Sequence, residues 1–218
     1  MALLYQAQLT PGKIELLRAW MPAQQWWAGD GATIDVVGAY RFDDPAGEVG
    51  IETHLLRVGD GHTVQVPLTY RGAPLADAEG ALVGTMQHSV LGARWVYDGC
   101  FDQVYAAALA TTILTGGTQA ELQIASDGPP EHREPTARVV GSGTPDVRVP
   151  TLGAMSCTND ATRTTIRAGE LELVVRRTLS ADMIADAAGT PNGTSTGTLT
   201  GTWPGNLEPT VLALARVG

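Results

Sequence analysis

Two adjacent arginines, Arg176 and Arg177, lie near the end of the run CTNDATRTTIRAGELELVVRRTLS, residues 157–180. Guanidinium groups suit phosphate, because each planar fork donates two parallel hydrogen bonds to an anion. The plainer reading is a pair of exposed charges at a strand end. The other groups able to do chemistry are scattered. Asp43-Asp44 and Asp98/Asp102 are carboxylate pairs, but the first fits a turn and the second a helix start. The four histidines stand in THL, GHT, QHS and EHR, with no metal-ligand spacing around them. His54 and His62 straddle a predicted hairpin turn and could approach each other, though single histidines of this kind read as surface residues. Cys100 and Cys157 are too far apart for a zinc motif and too few for a disulfide framework, and both are read as reduced and inert. Ser156-Cys157 has no neighbouring histidine to activate it. Neither a cofactor nor a metal is expected.

Aromatic residues are the remaining candidates. Trp26 and Trp27 sit side by side in PAQQWWAGDGA. Adjacent side chains cannot both point into one core. One is read as an anchor under a sheet and the other as exposed, in the manner of interface tryptophans; the alternative packs both between helix and sheet. Trp95 and Tyr97 share one side of a short strand and are read as core or as a contact surface.

Local patterns place these residues on elements. Thr10 can cap a helix that begins at Pro11, with Ile14, Leu17 and Met21 at helical spacing and Pro22 ending it. Residues 34–42 alternate as a strand. Residues 49–58 and 62–70 form a hairpin about a two-residue Asp60-Gly61 turn, in which Val58 faces Thr63, Leu55 faces Val66, Thr53 faces Leu68 and Ile51 faces Tyr70. That register gives the hairpin one apolar face. Residues 72–91 read as loop with a helical turn. Residues 94–97 read as a strand, and Asp98 or Asp102 caps a helix that Gly116-Gly117 stops. Strands follow at 120–125, 136–141, 162–168, 170–178, 195–203 and 209–216. Ser, Thr and Gly are enriched in 189–202.

Composition narrows the function. With 44% hydrophobic and 17% charged residues, the 218-residue chain can build a real core. A net charge of -9 repels phosphate backbones and anionic membranes, so nucleic acid and membrane are poor partners. Thirteen arginines and one lysine, Lys13, point to a GC-rich coding sequence and not to a function. No window is apolar for long enough to span a bilayer, and MALLYQAQLTPGK lacks the basic and apolar regions of a signal peptide, so a cytoplasmic protein is expected.

Several segments together resemble the N-terminal cap of actinobacterial maltokinases and related sugar kinases. They are MPAQQWWAGDGA at 21–32, the strand trio that follows, and WVYDGCFDQVYAAALATTILTGG at 95–117. Asp30 stands where the family loop carries a basic residue. Thr158-Asn159-Asp160, Gly169-Glu170 and Arg176-Arg177 resemble the first hairpin of the kinase N-lobe, and LTGTWPG…VLALA resembles stand-alone members of the group. The resemblance implies an α+β fold. A curved antiparallel sheet packs on one or two helices as a cap (1–125). A linker (126–135) and a smaller antiparallel β subdomain (136–218) follow, and the residues end before a catalytic helical lobe. It also implies what an active kinase needs: a phosphate-binding lysine, a catalytic base and metal-holding acids. The lysine position falls on Leu173 or Val175, no His-Gly-Asp or Asp-Phe-Gly loop is present, and Lys13 in the cap helix is no substitute. The expectation is a non-catalytic accessory or regulatory module. Its partner would be a sugar kinase, an enzyme of trehalose, maltose or α-glucan metabolism, or a second copy in a homodimer. The alternative is a sugar- or nucleotide-binding protein without turnover, holding its ligand in a groove between cap and β subdomain; a cryptic enzyme is the third reading.

Overall fold

The computed structural model describes residues 2–5, 7–29, 33–59, 61–125, 131–179 and 195–218. The first half contains β1 (Ala2–Tyr5), β2 (Leu9–Thr10), α1 (Lys13–Trp20), β3 (Ile34–Phe42), β4 (Gly50–Val58), β5 (Thr63–Arg71), β6 (Leu82–His88), β7 (Gly92–Asp98) and α2 (Gln103–Thr115). The second contains β8 (Leu122–Ala125), β9 (Glu131–Arg133), β10 (Arg138–Gly141), β11 (Met155–Asn159), β12 (Arg163–Ala168), β13 (Leu171–Arg176), β14 (Thr178–Leu179), β15 (Ser195–Trp203) and β16 (Asn206–Val217). Antiparallel sheet dominates, with α1 and α2 as the α-helices among the described residues, so the expected α+β class resolves to a mostly β architecture whose main sheet curls. That sheet runs β2-β6-β7-β5-β4-β3, with β14 added on β5. A second sheet runs β10-β15-β16-β13-β12-β11. A small third sheet, β1-β8-β9, holds a parallel pair, β1 with β8.

Two hydrophobic cores flank the curled sheet. On one face, Leu17 and Met21 from the α1 region and Trp26 pack on Leu56, Val64, Val66 and Leu68. On the other, Tyr40, Ile51 and Leu55 meet α2 and the inner face of the second sheet, including Leu173, Val175, Leu199 and Leu212. Each fully buried Leu or Ile contributes roughly 1.5–3 kcal/mol. The second core joins residues from both sides of the 126–135 segment, so the two sheets share one interior. Residues 126–130 of that segment lie outside the described residues, and 131–133 form β9.

A sheet buried on both faces explains the correction to the hairpin. The observed register pairs Arg57 with Thr63, Leu55 with Gln65, His54 with Val66, Thr53 with Pro67 and Ile51 with Thr69. This is one residue away from the expected pairing. The loop is longer than two residues, with Gly59 at φ 57° and Val58 donating its N–H to the His62 carbonyl at 3.2 Å. Asp60 itself lies outside the described residues. The expectation of one apolar face presumes one wet face, and this sheet has none there. Gln65 shows how a polar residue survives between the sheets. Its side chain accepts from the Tyr40 hydroxyl at 3.1 Å and donates to the carbonyls of Arg176 and Leu212, each at 3.0 Å. A buried amide satisfied in this way fastens one sheet to the other.

Other differences are local. Residues 72–91 contain β6 rather than loop alone, because its partner β7 supplies the pairing that a weak local pattern does not. The first helix starts at Lys13, since Thr10 is held by β6 and Gly12 becomes the N-cap; Glu15 accepts from the Gly12 N–H. Pro22 sits inside a 3-10 turn, Met21–Ala23, that extends the helix end. The enriched stretch 189–202 lies outside the described residues up to 194 and enters β15 thereafter. The C-terminal end of α2 is sealed by the second half of the chain. Gly143 and Thr144 donate backbone N–H groups to the carbonyls of Ile113 and Leu114, at 2.9 and 3.1 Å. A Cβ at Gly143 would lie 1.9 Å from the Leu114 carbonyl oxygen, so only glycine allows this approach.

Candidate functional site

The arginine pair of the β12–β13 hairpin points inward. Arg177 lies where the chain crosses from β13 in one sheet to β14 in the other, and it is wholly buried. Its Nε donates to Thr164 Oγ1 at 2.7 Å and its Nη2 to Asp98 Oδ2 at 2.5 Å. Burial alone would lower its pKa, but Asp98 overrides this and holds the guanidinium more firmly protonated. Arg176 is also buried and donates to the Val211 carbonyl at 3.1 Å. Asp98, read as a possible helix cap, caps the short 3-10 turn Gly99–Phe101 by accepting from the Cys100 N–H. Asp102 caps α2 through the Val104 N–H and takes a two-pronged bond from Arg71, both contacts at 2.7 Å.

Of the aromatic candidates, Trp26 is fully buried beside Trp20, and the Arg177 guanidinium lies 4.9 Å from its ring centre. Trp27 is half-buried against the same core. Trp95 is half-buried on β7, while Tyr97 is buried and its oxygen accepts from the Leu75 N–H at 2.9 Å. These four side chains do not converge on one cleft. The interior between the two sheets, where the ligand-binding alternative needs its groove, is filled by packed side chains of the second core.

The convergent polar cluster is elsewhere, and the sequence patterns pass over it. Glu52 and His54 lie on the α1 face of β4, nearly buried. Lys13, at the start of α1, makes an ion pair with Glu52 Oε2, and Arg41 Nη2 reaches Glu52 Oε1 at 3.1 Å. The Tyr70 hydroxyl donates to the same carboxylate at 3.0 Å, His54 Nε2 lies 3.3 Å from it, and the Lys13 ammonium stands over the Tyr70 ring at 5.2 Å. Burial by itself would raise the Glu52 pKa. His54, Arg41 and Lys13 outweigh it and hold the carboxyl well below 4.5. Lys13 moves the other way from an ordinary lysine: burial lowers it, Glu52 pulls it back up, and Arg41 pushes it down again. The available signal was a glutamate and a histidine two apart within an apolar strand, on a face that should carry neither. His54 is opposite Val66, and His62 is at the far end of the hairpin near Val58, so the two histidines are not cross-strand partners.

Lys13 and Arg41 also line a cleft of about 510 Å³, with Tyr70, His88 and Arg94. Asp43, Asp44 and Glu48 stand on the same cleft. Both oxygens of Asp44 are occupied within its turn by the N–H groups of Ala46, Glu48 and Val49. The arrangement is rich in fixed donors and suits binding. Among the described residues, no cluster of three or more His, Cys, Asp or Glu side chains is placed to hold a metal. No described helix is long and apolar enough to cross a membrane. Cys100 and Cys157 are both free thiols, and the fold brings them together: Cys157 Sγ donates to the Cys100 carbonyl at 3.0 Å. Burial raises both thiols, that of Cys157 to about 12, which disfavours the reactive thiolate.

No curated protein matches the chain. Residues 20–102, from the last residue of α1 to the N-cap of α2, match the family model of the maltokinase N-terminal cap domain, and this part of the chain is cap-domain-like.

Proposed function

We propose that this protein is a non-catalytic accessory module acting by contact on an enzyme of trehalose, maltose or α-glucan metabolism, with a sugar kinase as the first candidate. The match of 20–102 to the maltokinase cap carries this reading. The fate of the kinase-like hairpin supports it. Leu173 and Val175, at the positions of the expected phosphate-binding lysine, are fully buried apolar residues. Arg177 is closed in its pair with Asp98. Phosphoryl transfer needs cations presented to the nucleotide, and these side chains face the interior. For contact, β11 forms one end of the second sheet, and an edge strand can accept another strand.

The test is recovery of the tagged protein from a lysate of its own organism, followed by mixing with the purified enzyme identified. Specific recovery of a sugar kinase, a trehalose synthase or another glucan enzyme, with direct binding in the purified mixture, is the expected result. Recovery of the chain alone sinks the proposal, and a symmetric dimer by light scattering replaces the partner with a second copy. Trp27 is the residue to substitute in that assay. Trp26 is closed in the core, and its loss would destabilise the cap and so confound a test of any interface.

A further inference from the structure

The cleft beside Lys13 is lined by residues of this chain and has no role in the contact mechanism. Its volume of about 510 Å³ lies within the usual span of small-molecule sites, roughly 300–1,000 Å³. Lys13, Arg41 and Arg94 come to it from α1, β3 and β7, so only the folded chain assembles them. Glu52 binds Lys13 and Arg41 without itself lining the cleft, and one carboxylate thus orients two cations. Arg94 has no carboxylate partner among the described residues; its Nη1 reaches the Ala93 carbonyl at 3.4 Å. His88 lines the same cleft, and burial first, then Arg94 and Lys13, lower its pKa.

The acidic side chains on the same cleft weaken this field, but their placement limits the loss. The Asp44 oxygens are bonded within their own turn. Asp43 and Glu48 are exposed, where water and salt screen them. The cations Lys13 and Arg41 are mostly buried, where an added anion is felt most strongly. We propose that this cleft binds a small anion, the phosphate or carboxylate group of a metabolite, with Arg94, Lys13 and Arg41 as its donors. Arg94 supplies a guanidinium with no carboxylate partner among the described residues, and the Glu52-held pair supplies preorganised charge. Fixing donors in advance lowers the entropy cost of binding.

Thermal shift and titration calorimetry at low ionic strength test this with inorganic phosphate, glucose 1-phosphate, acetate and maltose. The expected result is a saturable rise in Tm with phosphate or acetate, and tighter binding if the rest of glucose 1-phosphate also fits. Arg94→Gln, which keeps a polar side chain and removes the charge, should weaken that binding about tenfold, the loss of one charge-assisted contact. Its circular dichroism should be unchanged, and Arg94→Lys should recover part of the affinity. A rise that never saturates, or one equal in Arg94→Gln, is general salt stabilisation and overturns the proposal. So does maltose binding as well as glucose 1-phosphate, because hydroxyl recognition would then explain the cleft. Absence of saturable binding by all three anions also overturns it.

Discussion

Arg177 and Glu52 are both nearly buried charges, yet their surroundings differ in kind. Arg177 is matched one to one with Asp98, its Nε is satisfied by Thr164, and neither Arg177 nor Asp98 opens on a cleft. Glu52 is surrounded by Lys13, Arg41, His54 and Tyr70, and two of those cations also line the cleft of about 510 Å³. A closed, balanced pair fixes geometry. An open cluster with more cations than the inner carboxylate neutralises retains a capacity to bind. Exposure of the partners, rather than the presence of charge, separates the structural cluster from the candidate site.

The largest effect should come from breaking the closed pair. Arg177→Met leaves Asp98 buried without its cation and should destabilise the fold by about 3–5 kcal/mol in urea denaturation. If Asp98→Asn in the same chain recovers a substantial part, the uncompensated charge is the cause; no recovery would assign the loss to packing. Trp26→Ala should cost a similar amount, about 3–5 kcal/mol, by removing a fully buried indole that also carries the Arg177 guanidinium on its face.

Breaking the open cluster should cost less. Glu52→Gln is expected to destabilise by about 1–3 kcal/mol, because Lys13 and Arg41 retain some access to water. The pH dependence sharpens the point. The folded Glu52 carboxyl titrates well below its ordinary 4.5, so its stabilisation is complete above that value and fades as pH falls through the folded pKa. Wild type and Glu52→Gln should therefore converge in stability at acid pH. A difference that stays constant from neutral to acid conditions would contradict the assigned charge interactions.

The smallest effect is expected at Arg57, whose contact with Asp35 at 3.2 Å joins two exposed side chains. Arg57→Gln should change stability by less than about 0.5 kcal/mol. A larger loss would mean that exposure is not what distinguishes the clusters.

Much of the secondary structure was legible because its signals are local. The β12–β13 hairpin pairs Ala168 with Leu171 about Gly169-Glu170, and Gly169 takes φ 60°, as a tight turn requires. Asp102 caps α2 and Gly116 ends it in the left-handed region, as their positions predict. β3 follows its alternation, with a bulge between Val36 and Gly38. The match over 20–102 likewise rests on segments visible in the sequence. The candidate site was not legible. Lys13 and Glu52 are 39 residues apart, each unremarkable alone, and Glu52 looks misplaced until its cations are known.

The sequence by itself determined many of the strands, the Gly169 turn and the ends of α2, because capping, glycine conformation and apolar period act over a few residues. Only the tertiary structure decided which faces are buried, and with that the β4–β5 register and the inward course of Arg177. The Arg177 contact to Asp98 spans 79 residues, and the two residues meet because the sheets pack on a shared core and β14 pairs with β5. Long-range pairing depends on the whole chain minimising exposed apolar surface while satisfying most buried polar groups, a condition that no short stretch of sequence contains.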